Sequence, residues 1–166
     1  MTYRNKTYIA FDGDNDMHYY RLMTAWNAND GFSLNFHNAH DLNTAHDSSQ
    51  EESIKRQLRE RFANSKLLVV LIGANTKYLT KFVKWEMEVA LRLGLPIMGV
   101  NLNGSRQMDE RCPSTIRDQL VVYTSFNHKI IEYAMDRWPA DFHSLRRAST
   151  TGHHYYNDDV YRRLGL

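Results

Sequence analysis

The sequence predicts a doubly wound α/β fold built on a parallel sheet of about five strands. Apolar segments of strand length alternate along the chain with segments whose apolar residues recur at helical spacing. The most continuous apolar segment, residues 66–72, is typical of a strand that is buried on both faces of a parallel sheet. The chain has 166 residues, of which 42% are hydrophobic and 24% charged, so its size and composition match one ordinary globular domain.

Two strands and two helices are predicted before this central strand. In chain order they are a strand at 7–11, a helix at 18–28, a strand at 33–38 and a helix from 48 to about 63. The second strand alternates polar and apolar residues, which indicates a half-exposed position near a sheet edge. The second helix begins at the capping-box pattern Ser48-Ser49-Gln50-Glu51, in which the first and last residues satisfy free backbone groups.

Two helices and two strands are predicted after the central strand. In chain order they are a helix that ends at Leu93 before Gly94, strands at 96–101 and 119–123, and a last core helix at 128–138. From Pro139 onward the composition turns polar. We therefore predict one α/β domain over residues 1–138, with a peripheral polar C-terminal extension, residues 139–166, packed on that domain or trailing from it.

Charge and targeting signals exclude several classes of protein. The net charge of +2, with basic residues spread along the chain, argues against a nucleic-acid partner. The chain shows neither a signal-peptide pattern nor an apolar run of membrane-spanning length. The single cysteine, Cys112, cannot form an internal disulfide and fits a reducing compartment, and we expect a free surface thiol there. We expect a cytoplasmic protein with no membrane or nucleic-acid partner.

One carboxylate is placed where a helix should be apolar. At helical spacing Glu86 lies on the apolar face of its helix, whereas Glu88 lies on the opposite face between Lys84 and Arg92. A carboxylate in an apolar stripe is costly unless it is hydrogen-bonded, neutral or open to a cleft. Spacing alone leaves two interpretations open, a helix-edge residue that reaches water and a residue of a functional cleft.

Open α/β sheets bind ligands beyond the carboxyl ends of their strands, where the strand order reverses. The loops at that edge are predicted at residues 12–16, 38–47, 73–77 and from 101 onward, and they are strongly polar. Glu86 is on the helix that follows the central strand. The sequence therefore predicts a polar ligand cleft at this edge, with Glu86, Phe11 and Asp12 on its walls.

The segment Phe82-Val83-Lys84-Trp85-Glu86, with Ala90 four residues further on, resembles the catalytic helix motif of the TIR and TIR-like family. In the NAD-consuming members that motif has the form Trp-Cys-x-x-Glu, and Phe82 here replaces the tryptophan. The resemblance covers residues 7–138 and is greatest to the TIR-like branch of the bacterial Thoeris anti-phage systems. It implies a flavodoxin-like (TIR-like) sheet with the strand order 2-1-3-4-5.

The resemblance also implies an activity and a site. It implies cleavage of NAD between ribose and nicotinamide, or its cyclisation to an ADP-ribose-type signal, with Glu86 as the catalytic residue. NAD would be the substrate, and no cofactor is expected. Phe11 and Asp12 would contact nicotinamide or its ribose, and Phe82 would pack on a ring of the substrate. The adenosine side would be lined by Asn38, His40 and Asp41. The implied partners are a nucleotide-sensing effector protein and, in self-association, further copies of the chain.

Simpler interpretations of the same residues stay open. Phe11 and Asp12 also fit a core aromatic residue followed by a loop carboxylate, and Asn38 and Asp41 fit solvated turn residues. A metal site could be formed by His37, His40, Asp41, His46 and Asp47, but these residues have no defined ligand spacing, and we expect no metal. Two other functions remain, a non-catalytic TIR-like interaction module and a nucleoside deoxyribosyltransferase-like enzyme.

Overall fold

A computed structural model describes residues 6–29, 35–37 and 48–166 of the chain. Its strands are β1 (Lys6–Ala10), β2 (Asn35–His37), β3 (Leu67–Ile72), β4 (Ile97–Asn101), β5 (Val121–Ser125) and β6 (His153–Tyr155). Its helices are α1 (Met17–Asn29), α2 (Ser48–Ala63), α3 (Phe82–Leu93), α4 (Ser114–Arg117), α5 (His128–Arg147) and α6 (Asp158–Arg163), with a 3-10 turn at Thr76–Tyr78.

The strands form one sheet in the order β2-β1-β3-β4-β5-β6, and every neighbouring pair is parallel. The prediction of a doubly wound, flavodoxin-like α/β sheet with the order 2-1-3-4-5 is confirmed for its first five strands. The order reverses between β1 and β3, because the chain runs outward from β1 to β2 and then returns to the other side of β1. The carboxyl ends of β1 and β3 therefore flank the switch point.

Helices cover both faces of the sheet. The side chains of β3 alternate between two apolar clusters, with Leu67, Val69 and Leu71 in one and Leu68, Val70 and Ile72 in the other. The first cluster packs against α1 and α5, and the second against α2 and α3. All six residues of β3 are buried for this reason, as the continuous apolar run predicts.

Helix α3 carries the carboxylate that the sequence places in an apolar stripe. Its buried residues are Phe82, Val83, Glu86, Met87, Val89 and Ala90. The helix ends at Gly94, whose backbone is left-handed (φ 66°) and whose N–H is directed at the carbonyls of Ala90 and Leu91. The helical phasing of Glu86 is confirmed, since its side chain lies inside and that of Glu88 lies outside.

The C-terminal region is more closely integrated than the sequence predicts. Helix α5 continues through Pro139 to Arg147, so the predicted helix end at Trp138 is wrong and the predicted boundary at 138 falls inside a helix. Phe142, one turn beyond the proline, is buried in the core, and this packing offsets the backbone hydrogen bond that proline cannot make. Strand β6 then pairs with β5, which gives six strands instead of about five.

Helix α6 closes the chain against the carboxyl edge of the sheet. Tyr161 is fully buried, and its hydroxyl accepts a hydrogen bond from the Ser125 backbone N–H at 3.3 Å. The Arg106 guanidinium lies 4.1 Å from the Tyr161 ring and contacts Asp158 at 3.2 Å. These contacts tie the C-terminal region to the loop after β4. No helix in the described ranges is long and apolar enough to cross a membrane.

Candidate functional site

A cleft of about 410 Å³ opens at the carboxyl ends of β1 and β3. Its walls are residues 11–14, which follow β1, and residues 78–83, which join the 3-10 turn to α3. The cleft lies where the switch-point rule places a ligand in an open α/β sheet. Three of the predicted substrate-binding residues, Phe11, Asp12 and Phe82, are part of this lining.

Phe11 is held rigidly at one wall. Its side chain is buried, and its ring is stacked on that of Tyr20 with a centroid separation of 4.8 Å and an interplanar angle of 9°. Tyr20 lies on α1, so this helix holds Phe11 in place from the other end of the loop at residues 12–16. Phe11 therefore combines the predicted core role with a position on the cleft.

Asp12 organises the loop after β1. Its Oδ1 accepts hydrogen bonds from the backbone N–H of Asp14 at 3.0 Å and of Asn15 at 3.3 Å. Its Oδ2 accepts one from the Asn15 side-chain amide at 2.7 Å, and its backbone carbonyl accepts one from the Asp16 N–H at 2.8 Å. Both carboxylate oxygens are thus occupied within the loop. The geometry gives Asp12 an Asx-turn role and leaves it little capacity to bind a ligand directly.

Phe82 and Glu86 are one helical turn apart on α3. Phe82 lines the cleft and is 8% exposed, whereas Glu86 is 3% exposed and is not among the lining residues. The prediction that Glu86 lies on the cleft wall is therefore wrong, because helix α3 turns this side chain inward. The Glu86 side chain is buried on α3, and its carboxyl group contacts the hydroxyl of Tyr8, a residue of the apolar cluster between the sheet and helices α2 and α3. Glu86 does not reach bulk water, so of the two interpretations left open by spacing the helix-edge one is wrong.

Burial controls the ionisation of Glu86. Desolvation raises the pKa of the Glu86 carboxyl to about 8, and a contact with the Tyr8 hydroxyl opposes this by stabilising the charged form. Tyr8 is fully buried on β1, and burial together with the nearby Glu86 charge raises the pKa of its hydroxyl well above the usual range. The Tyr8 hydroxyl makes no hydrogen bond of ordinary geometry to a described residue, so its contact with Glu86 is a weak one.

Asp16 is a buried acid at the same edge that sequence reasoning missed. Its carboxyl group is packed against Gly73, the residue after β3, and its Oδ2 has no hydrogen-bond partner in the described ranges. Burial, and then the charge of Asp12, raise the pKa of Asp16. The sequence feature that could have indicated this contact is Gly73 at the end of the central strand, because a glycine leaves space for a side chain from the neighbouring loop.

The other predicted positions are less informative. Asn38 and Asp41 lie outside the described residues, as do the remaining positions of the predicted polar loop at 39–47. No group of three potential metal ligands is assembled within the described ranges. Cys112 is buried rather than at the surface, with its Sγ 3.1 Å from the Tyr123 hydroxyl, so the expected surface thiol is wrong. Burial also raises the pKa of the Cys112 thiol, as expected for an unreactive cysteine.

Comparison with known proteins assigns the chain to a family. The sheet order and switch-point cleft define a flavodoxin-like α/β protein. Residues 8–107, from β1 through α3 to the loop after β4, match the family model of the TIR-like domain of the Thoeris protein ThsB. The chain belongs to this family of TIR-like domains, which indicates a role in Thoeris-type anti-phage defence. The matched range contains the whole described lining of the cleft and Glu86.

A solved structure of a conserved protein from Enterococcus faecalis V583 is 17% identical, with 98% of each chain covered and a TM-score of 0.46. No protein of curated function matches the chain.

Proposed function

We propose that the chain is a TIR-like NAD glycohydrolase or cyclase that makes an ADP-ribose-type nucleotide signal in anti-phage defence. The observation that carries the proposal is the position of Glu86. It is a buried carboxyl on the family's motif helix, one turn behind an aromatic residue of the switch-point cleft. Membership of the Thoeris TIR-like family supports the defence role.

The chemistry requires only one carboxylate. Nicotinamide leaves from a cationic precursor as a neutral molecule, so no general acid has to protonate it, in contrast to ordinary glycoside hydrolysis. A carboxylate beside the ribose stabilises the oxocarbenium-like charge that develops as the bond breaks. Water, or a nucleophile within the same dinucleotide, then captures the sugar carbon, and internal capture gives a cyclic product.

The raised pKa of Glu86 fits a cationic substrate. With a pKa of about 8, the carboxyl group is mostly protonated at neutral pH in the empty site. A positively charged nicotinamide ring nearby favours the ionised form and lowers that pKa. In a desolvated site the attraction between carboxylate and sugar cation is stronger than it would be in water. Phe82 would pack against a ring of the substrate.

The test compares two glutamates on the same helix. Glu86→Gln keeps the size of the side chain and removes its charge, so we expect nicotinamide release from NAD to fall by about 100-fold or more. Glu88→Gln is the matched control, because Glu88 is exposed and faces Lys84 at 4.0 Å on the opposite face of α3. Equal loss in both variants, or loss only in Glu88→Gln, would refute the assignment.

The proposal includes control of the activity. An enzyme that consumes NAD must be silent at rest, so we expect weak turnover by the isolated protein and stronger turnover in phage-infected lysate or on self-association. The product would act on a nucleotide-sensing effector protein. Release of nicotinamide that depends on Glu86 in the infected lysate, and not in an uninfected one, is the expected result.

A non-catalytic interaction module is the second candidate, and two observations favour it. Both oxygens of Asp12 are occupied within its own loop, and Glu86 does not form part of the described cleft surface. On this proposal Glu86 is a neutral polar residue of the core. Absence of Glu86-dependent nicotinamide release in infected lysate and in crowded solution would select it.

A further inference from the structure

The lining of the switch-point cleft is asymmetric in charge. Asp12 and Asp14, which follow β1, contribute carboxylates, whereas Lys81, directly before α3, contributes an ammonium group. Lys81 is the only cationic residue in the lining formed by residues 11–14 and 78–83. Its side chain is 55% exposed and belongs to the cleft lining, so its ammonium group is accessible to a ligand there.

An acid outside the cleft holds this lysine. Glu51, in the first turn of α2, has one carboxylate oxygen 3.4 Å from the Lys81 Nζ and the other 3.2 Å from the Lys55 Nζ. These two lysines lower the pKa of Glu51, so the carboxylate is charged at neutral pH. Glu51 thus forms a bridge between the first turn of α2 and the residue that precedes α3.

We propose that Lys81 binds the diphosphate of a dinucleotide ligand, and that Glu51 holds Lys81 in place while the cleft is empty. This inference rests on the proposed function for the identity of the ligand. It adds a diphosphate subsite to the cleft. Ligand binding also replaces the ion pair between Lys81 and Glu51 by a contact between Lys81 and a phosphate oxygen.

Glu51 and Lys81 both keep a partner of opposite charge when the ligand binds. When Lys81 turns to a phosphate oxygen, Glu51 keeps Lys55 as its partner, so no carboxylate is left unpaired. Exposed ion pairs between a carboxylate and an ammonium group are weak, whereas a diphosphate offers a higher charge and several acceptor oxygens. Binding therefore breaks the ion pair that joins the first turn of α2 to the residue before α3, and the ligand competes with Glu51 for Lys81.

The experiment measures binding without chemistry. Isothermal titration calorimetry of the full chain would use ADP-ribose as the diphosphate probe and adenosine as the probe without phosphate. We expect Lys81→Met to weaken ADP-ribose binding about tenfold and to leave adenosine binding unchanged. Glu51→Gln frees Lys81 and should tighten ADP-ribose binding by about two- to fivefold.

Two controls match these variants. Lys84→Met removes a lysine of similar exposure, 50%, that faces Glu88 instead of Glu51. Glu52→Gln removes the neighbouring acid of α2, which faces Arg59 at 3.8 Å. Both controls should bind ADP-ribose as the wild type does. Equal effects of Lys81→Met and Lys84→Met, weaker or unchanged binding in Glu51→Gln, or no binding of millimolar ADP-ribose to the wild type would each overturn the inference.

The outcome also separates this inference from the proposed function. Lys81-dependent binding of ADP-ribose without Glu86-dependent NAD cleavage would retain the diphosphate subsite and reject the enzyme. Glu86-dependent cleavage with an unchanged KM for NAD in Lys81→Met would retain the enzyme and reject the subsite.

Discussion

The carboxyl group of Asp16 lies against the Cα of Gly73, so closely that a Cβ atom at position 73 would collide with Oδ2 of Asp16. The contact joins the loop after β1 to the end of β3, the two strands that flank the switch point. It fixes the first wall of the cleft relative to the centre of the sheet.

We predict that Gly73→Ala lowers the free energy of unfolding by about 1–3 kcal/mol, because buried Asp16 must move to admit the new methyl group. Urea unfolding measures the change. In the double variant Asp16→Ala/Gly73→Ala the collision partner is gone, so most of the loss should be recovered. A double variant whose loss of unfolding free energy equals the sum of the losses in Gly73→Ala and Asp16→Ala would contradict the contact.

Glu86 should make the stability of the protein depend on pH. Its folded-state pKa of about 8 lies above the ordinary value of 4.5, so the folded protein binds more protons than the unfolded chain between these values. This contribution is fully present below pH 4.5 and is lost as the pH rises through about 8. Its size is on the order of a few kcal/mol.

The measurement is urea unfolding of wild type and Glu86→Gln between pH 5 and 9. Glu86→Gln has no ionisable group at this position, so its free energy of unfolding should fall less than that of the wild type as the pH rises. At pH 9 we expect Glu86→Gln to be the more stable of the two proteins. Glu88→Gln should follow the wild type. Parallel curves for wild type and Glu86→Gln would show that Glu86 ionises normally in the folded protein.

Two substitutions of Asp12 distinguish a structural role from a role in ligand binding. We predict that Asp12→Ala destabilises the protein by about 1–3 kcal/mol, because it leaves two backbone N–H groups of the loop without their acceptor. Asp12→Asn keeps an oxygen in that position and should retain most of the stability. Nicotinamide release should follow the same order, with Asp12→Asn close to wild type. A large loss of turnover in a stable Asp12→Asn would instead assign the charge of Asp12 to substrate binding.

Tyr8 should tune the ionisation of Glu86. The hydroxyl contact stabilises the charged carboxylate, so Tyr8→Phe should raise the pKa of Glu86 further. In an active protein, the ascending limb of kcat/KM against pH lies near 8 in the wild type and moves to higher pH in Tyr8→Phe. Tyr123→Phe, which removes a buried hydroxyl that contacts Cys112 instead, is the control and should leave the limb in place. An unmoved limb in Tyr8→Phe would remove Tyr8 from the site.

The sequence was most informative where burial follows a simple period. The central strand could be predicted because β3 is apolar throughout. The inward position of Glu86 could be predicted because the apolar residues of α3 recur at helical spacing on the same face. The strand order came from the family resemblance, since parallel strands pair over long sequence separations that no local pattern encodes. The described lining of the cleft follows from that order.

Other features depend on contacts that a local pattern does not contain. Asp12 and Asp16 look alike in an acidic loop, yet one organises the turn and the other is buried against Gly73. Pro139 normally indicates the end of a helix, but the burial of Phe142 beyond it favours continuation. The polar composition of residues 153–155 conceals a strand whose role is to pair with β5.

That last strand has a consequence for the solubility of the protein. Without β6, the free edge of the sheet would be β5, whose residues from Val121 to Thr124 are buried and apolar for the most part. Such an edge is a template for pairing between molecules and for aggregation. The edge presented instead is three residues long and carries His153 and Tyr155 outward. A partial chain cut after α5 would expose the longer edge, so strand β6 covers the part of the sheet that is most prone to aggregate.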